Sequence, residues 1–542
     1  MTNSIKNTLL NNYQVLIVLS IITLFTIISG VIYYLSLIEE NQEEENNPSD
    51  EINSPVFDGY NLFVLEDKNL LTLNRSLKLL ITDMEGEVII EKDYLKEPRG
   101  LDVYPVELFN TTTVLLGADD GAVLWNFVTN TTYDLGFEGH HDLEYNVNYN
   151  TFFTMSWYAT EIDGILYGFD VIKEYDWQGN LQWSLDTREF VSPTMWCPFQ
   201  DSYGEIRDLT HGNTVFYDSE EDIIYYNSRN CNTFWKIDHK TGRILWALGE
   251  YGDFQLFDRR GNLREHLFFH AHSVEKIDAN TFILFDNDMH NQTDPTNFRS
   301  RILEIVVNET TMTANESWVW AAPVEYYTNI WGDADRLPNG NRLGTFGTET
   351  HPNTDIGPRL VEVTNEGEIV WELTYRTTED YMYGIYRMER FRFTPTLSSQ
   401  PNIKMVSTDS VNVSWQTWFN FRTKQQMKGL YAIFFDGTLI DSGLYTFEKW
   451  WLPSNLDVSL NNLSPRKHNL TVVLSDMMGG STRNSVIIHD TTSSTTTQQT
   501  NLETTTSSMA KTSSFSGLLA IILFISSLVV FIQIRKKRIE LE

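Results

Sequence analysis

Four short segments of this chain gather side chains that move protons or hold anions: "EGHHDLE" at 138–144, "DLTHGN" at 208–213, "NSRNCN" at 227–232 and "HAHSVEKIDANTFILFDND" at 270–288. Imidazoles serve as bases, acids or nucleophiles. A guanidinium among amide and imidazole donors suits a group that stays anionic while it is transferred, because positive charge must face it throughout. Each segment alone has a plainer reading. A strand histidine is commonly just hydrogen-bonded to a neighbouring carboxylate. The run His266, His270 and His272 also has metal-cluster spacing, with His270 and His272 on one strand face because side chains alternate. The "FDND" turn could take Ca2+, although an Asx turn explains it with less. Cys197 and Cys231 are too few for a zinc knuckle; an oxidising compartment would permit a bridge between them without requiring one.

These segments lie far apart in sequence and need a scaffold that brings them together. A repeat supplies it. "DMEGEVII" at 83, "DWQGNLQWSL" at 176, "DHKTGRILWAL" at 238 and "NEGEIVWEL" at 365 each join an Asp/Asn-containing glycine turn to an alternating strand. Trp125, Trp183, Trp246, Trp320 and Trp371 recur with this unit, at spacings somewhat long for a four-stranded blade without insertions. The fold class is therefore all-β: a six-bladed propeller over 55–392, whose inner strands point side chains into one central channel. Composition changes near Pro395, and 400–489 reads as short strands of an immunoglobulin-like or fibronectin-III-like sandwich. The Thr/Ser-rich segment 490–513 reads as an extended stalk.

In their order, the four segments resemble the arylsulfotransferase family of six-bladed propellers. That family moves a sulfuryl group between phenols through a sulfohistidine. Its frame of His, strand, turn, strand and "FDN" matches His272 through Asn287, with Ala271 where a Gln is common and an extra histidine at His270. "DLTHGN" and "NSRN" are similar to its "DWTHxN" and "SSR", "HHD" matches at His141, and "WGDADRLPNGNRLGTFG" at 331–347 resembles its late strand pair. The resemblance implies His272 as nucleophile with His211, Arg229 and His141 as catalytic partners. Substrate-binding roles fall to Asn213, His140 and His270. It implies no metal, and a phenolic sulfate donor with a phenol acceptor. No cofactor is expected, since no Walker or dinucleotide motif is present and "GADDGAVLW" at 117–125 lacks a lysine.

Two apolar runs, 13–38 and 515–534, are each long enough to cross roughly 30 Å of hydrocarbon. Lys6 precedes the first, the acidic linker 39–54 follows it, and "RKKR" follows the second, so both termini are expected in the cytosol and the middle outside the cell membrane. A cleaved signal peptide is the alternative for the first run. A net charge of −33 argues against nucleic acid. Sequons at Asn74, Asn110, Asn130, Asn291, Asn308, Asn315, Asn412, Asn462 and Asn469 fit a glycosylated exterior. The function expected is an aryl sulfotransferase acting by a ping-pong route. The alternatives are a non-catalytic surface propeller that binds a sulfated or glycan ligand, and a metal-dependent enzyme using the histidine cluster.

Overall fold

The computed structural model describes residues 55–488, apart from 73, 94–104, 119–120, 200–201, 289–298, 348–356, 420–426, 449–450 and 478–479. The expected spans, linker and stalk lie outside the described residues. Among the described residues no helix is long and apolar enough to cross a membrane.

Six sheets built on antiparallel four-stranded units follow one another. Their innermost strands are Val106–Asn110, His140–Asn146, Gly212–Asp218, His272–Lys276, Asp333–Arg336 and Tyr381–Phe391, and each touches the next, the last returning to the first. In the sixth sheet the late strand Tyr381–Phe391 pairs with Tyr60–Asn69 from the chain's other end, from Tyr60↔Phe391 to Asn69↔Tyr381. Main-chain hydrogen bonds thus join the two ends of this region.

The turn repeat marks one position in the architecture. Gly86, Gly179, Gly242 and Gly367 all have positive φ, between 68° and 90°, in the hairpins that lead to the outermost strands. Those hairpins need a left-handed residue that only glycine adopts without cost. Trp183, Trp246, Trp320 and Trp371 stand on the fourth strands of their four-stranded units, whereas Trp125 is on a third strand. The long tryptophan spacings come from insertions: Ser202–Tyr203 with Ile206–Asp208 adds to the second sheet, and Gln255–Phe257 with Leu263–Arg264 to the fourth.

Residues from Thr396 to Ile488 form two further four-stranded sheets. Their core of Val411, Val413, Trp415, Val458, Leu470, Val472 and Val486 comes from alternate positions, the period of a strand with one buried face. A row of Ser464, His468 and Asp436 imitates a nucleophile relay: His468 lies 3.0 Å from the Ser464 hydroxyl and 2.8 Å from the Asp436 carboxylate. The same His468 nitrogen faces the Ser464 carbonyl at 3.0 Å. Facing an acceptor it carries a proton, so it has no lone pair to activate the hydroxyl, and the row pins a loop.

Candidate functional site

Three successive inner strands break register where they reach the centre. Pairing jumps between His140 and Leu143, between Gly212 and Thr214, and between His272 and Glu275. His141, His211 and Ser273 have φ of 63°, 46° and 51°. Left-handed backbone at a residue with a side chain costs about 1 to 3 kcal/mol, and such strain persists where the surroundings over-determine it. Here the bulges accompany convergence. The His141 and His211 rings meet edge-on at 4.8 Å, and His272 and His141 each stand 6.3 Å from the Tyr386 ring.

His272 is 1% exposed. Its Nδ1 faces Asn287 Oδ1 at 2.7 Å and the His270 carbonyl at 3.2 Å. Asn287 donates through Nδ2 to the carbonyls of Thr328, at 3.0 Å, and Trp331, at 2.8 Å, so its oxygen is the end that meets the ring. Nδ1 of His272 therefore carries the proton and Nε2 the lone pair. Burial pushes the imidazole pKa well down, the Arg229 guanidinium pushes it further, and the Asn287 hydrogen bond only partly opposes them. The result is a neutral imidazole of fixed tautomer.

Arg229, also 1% exposed, is held by the Asn230 side chain at 2.9 Å and the Asn329 carbonyl at 3.2 Å. His211 is oriented by Asp208, three residues earlier, at 2.5 Å. His141 is lowered by burial and then by His140, His211, His272 and Arg387. His140 bridges it to a carboxylate: its Nδ1 lies 2.7 Å from His141 Nδ1 and its Nε2 3.1 Å from Asp170.

Asn213 and His270 take other positions than expected. Asn213 donates to the Ala271 carbonyl at 2.9 Å and accepts from Asn227 at 2.7 Å, so it ties the third inner strand to the residue before His272. The His270 ring lies against Cys197, 3.5 Å from its sulfur. The expected alternation with His272 fails because the strand begins at His272 and His270 precedes it with φ 55°. His266 packs on Phe269 at 4.3 Å, and among the described residues no group of His, Cys, Asp and Glu could hold a metal. Asp286 of the "FDND" turn pairs with Arg301 and accepts from the Phe269 and Asp288 amides, as an Asx turn does. Cys197 and Cys231 are free thiols, both buried.

Sequence reasoning missed four participants. Arg387 bonds Asp142 at 2.6 Å and the Asn213 carbonyl at 2.6 Å, and the Asp142 carboxylate holds its cation against the cost of burial. Tyr386 stands between His141 and His272. Asn287 and Asp170 fix the histidines from behind. The charged residues Arg387, Glu389 and Arg390 crowded into the one strand Tyr381–Phe391 were the available signal.

The imidazoles of His141, His211 and His272 thus gather near the Arg229 guanidinium in an all-β scaffold. The arylsulfotransferase (ASST) family matches residues 45–387, and the chain belongs to that family. None of the curated proteins compared with it matches. Among solved structures, similarities include a putative 6-phosphogluconolactonase from Bacteroides fragilis, with 8% identity over 60% of this chain and 98% of that one at TM-score 0.28. Others are a hypothetical selenium-binding protein from Sulfolobus tokodaii (8%, 82% and 94%, TM-score 0.34) and the Pseudomonas aeruginosa periplasmic gluconolactonase PpgL (9%, 74% and 99%, TM-score 0.30).

Proposed function

We propose that the protein transfers a sulfuryl group from a phenolic sulfate ester to a phenol by a ping-pong mechanism through sulfohistidine at His272. The observation that carries this reading is the fixed neutral tautomer of His272 beside Arg229, an arrangement that a protein merely binding an anion does not need. Nε2 attacks sulfur in line, and Arg229 with His211 faces the equatorial oxygens while His141 stands toward the leaving phenolate as charge shifts to it. Asn287 keeps Nδ1 protonated, so the sulfurylated ring retains its hydrogen bond. Asn213 and Arg387 hold the third inner strand in place. Initial-rate kinetics with 4-nitrophenyl sulfate and a varied phenol test it: parallel double-reciprocal lines support the ping-pong route, and converging lines refute it.

We further read residues 55–392 as a closed six-bladed propeller, 400–489 as an Ig-like or fibronectin-III-like sandwich, and both as extracellular, anchored by spans at 13–38 and 515–534. The exposed sequon residues Asn74, Asn130, Asn308, Asn315, Asn412, Asn462 and Asn469 support an exterior location. Protease added to intact cells should spare epitopes at both termini; loss of the N-terminal epitope refutes that topology.

A further inference from the structure

We propose that Asp170, His140 and His141 form a proton relay that serves the leaving phenolate and then the accepting phenol, with His140 as the residue that stores the proton. The proposal rests on the sulfuryl-transfer reading above and adds to it the acid–base chemistry that His272 and Arg229 do not supply. Two facing ring nitrogens 2.7 Å apart, His140 Nδ1 and His141 Nδ1, are held together by one proton between them. The outer nitrogen of His140 stands 3.1 Å from the Asp170 carboxylate, within ion-pair distance when that nitrogen is protonated. Asp170 is anchored by the Gly212 amide at 2.6 Å and the Tyr226 hydroxyl at 2.8 Å. Burial raises its pKa, but His140, Thr210 and Gly212 outweigh that and keep it a carboxylate.

The arrangement resolves a conflict at His141. That ring is the imidazole next to His211 and Tyr386, yet burial and then its neighbours His140, His211, His272 and Arg387 all oppose a cation on it. A relay lets it pass protons without holding the charge. With the relay loaded, His140 is protonated on both nitrogens beside Asp170, and neutral His141 carries its proton on Nε2. When His272 Nε2 bonds to sulfur and the sulfur–oxygen bond to the aryl group breaks, the phenolate takes the Nε2 proton of His141. In the same step the Nδ1 proton of His140 crosses to His141 Nδ1. His140 becomes neutral. In the second half-reaction the incoming phenol gives its proton to His141 Nε2 as its oxygen attacks sulfur, the Nδ1 proton returns to His140, and the sulfur–nitrogen bond breaks. No net proton enters or leaves over the cycle.

The test uses the full-length protein and a series of aryl sulfates from 4-nitrophenyl to 4-methoxyphenyl, with the burst of phenol release measured in wild type and His140→Gln. A good leaving group needs little proton assistance. The deficit of the variant relative to wild type should therefore grow by about 10²-fold from 4-nitrophenyl to 4-methoxyphenyl sulfate, the usual size of a general-acid effect. A purely structural role for His140 would slow the whole series equally, and that result overturns the relay while leaving the sulfohistidine in place. A wild type that forms no adduct with any donor overturns the transfer reading, and the relay with it. A proton inventory on wild type with 4-methoxyphenyl sulfate needs no variant: a curved dependence on D2O fraction is expected from two protons in flight, and a linear one contradicts the relay.

Discussion

Two groups of enclosed histidines in the same scaffold are driven in opposite directions. At the centre, His272 meets an amide oxygen and a guanidinium, and its pKa falls well below the ordinary imidazole value through burial and Arg229. At the rim of the second and third sheets, His239 is clamped between Glu174 at 2.9 Å and Asp222 at 2.8 Å. Burial pulls the His239 pKa down, and the two carboxylates outweigh it and raise the value. Aromatic rings surround His239 as well, with Phe153 at 5.2 Å and Trp183 at 5.5 Å. Burial alone does not distinguish a working histidine from a structural one; the charge of its partners does. Carboxylates on both nitrogens make a clamp. An amide oxygen on one and nothing acidic on the other leave a lone pair to react.

The largest effect that would break this contrast is at the centre. His272→Ala should reduce turnover by about 10⁵-fold or more, as expected for loss of a nucleophile, with the melting temperature little changed. Rates of 4-nitrophenol release check it, and the double substitution of His270 and His272 controls for a neighbour's rescue. Arg229→Ala should slow both half-reactions by about 10³-fold, the size of one lost oxyanion donor, measured in single-turnover experiments with each half isolated. Asn287→Leu keeps the shape of the side chain but frees the His272 tautomer and orientation. It should lower kcat by about 10²-fold, the scale of a small misplacement, with a smaller change in KM.

At the rim the same surgery should touch stability alone. His239→Ala leaves the buried Glu174 without its cation, while Asp222 keeps Lys240, and should cost about 3 kcal/mol in denaturant unfolding while kcat stays within twofold. The clamp also has a pH signature. Because the folded pKa of His239 is raised, its stabilisation is complete below about 6.5, the unfolded value, and is lost as pH rises through the folded one. Asp222 is depressed to about 2, so its share is present above about 4 and lost as pH falls toward 2. The wild-type stability advantage over His239→Ala should therefore peak between about 4 and 6.5; an advantage that keeps rising above that window contradicts the clamp.

Much of this was legible in the chain. The glycine turns announced hairpins because their left-handed backbone leaves a signature in composition, as at Gly179 and Gly242. His141, His211, Arg229 and His272 stood in short segments whose residue types suggested anion chemistry. What stayed hidden depends on closure and on departures from regular strands. Tyr386 and Arg387 reach the site because Tyr381–Phe391 pairs with a strand from the other end of the chain, which no local pattern encodes. Asn287 was read only as part of a turn, since its role depends on the two carbonyls that fix its amide. His270 was placed beside His272 by an alternation that does not extend before the strand, and Asp170 lies in a strand whose apolar neighbours conceal it.

The central claim is a covalent sulfohistidine at His272, and intact mass of the full-length protein after brief exposure to 4-nitrophenyl sulfate tests it most directly. Wild type should gain one sulfuryl group, labile to acid and discharged by added phenol, with peptide mapping placing it on His272 and no adduct in His272→Ala. An adduct that persists in His272→Ala, or turnover in wild type that proceeds with no adduct and disappears with a chelator, would contradict it.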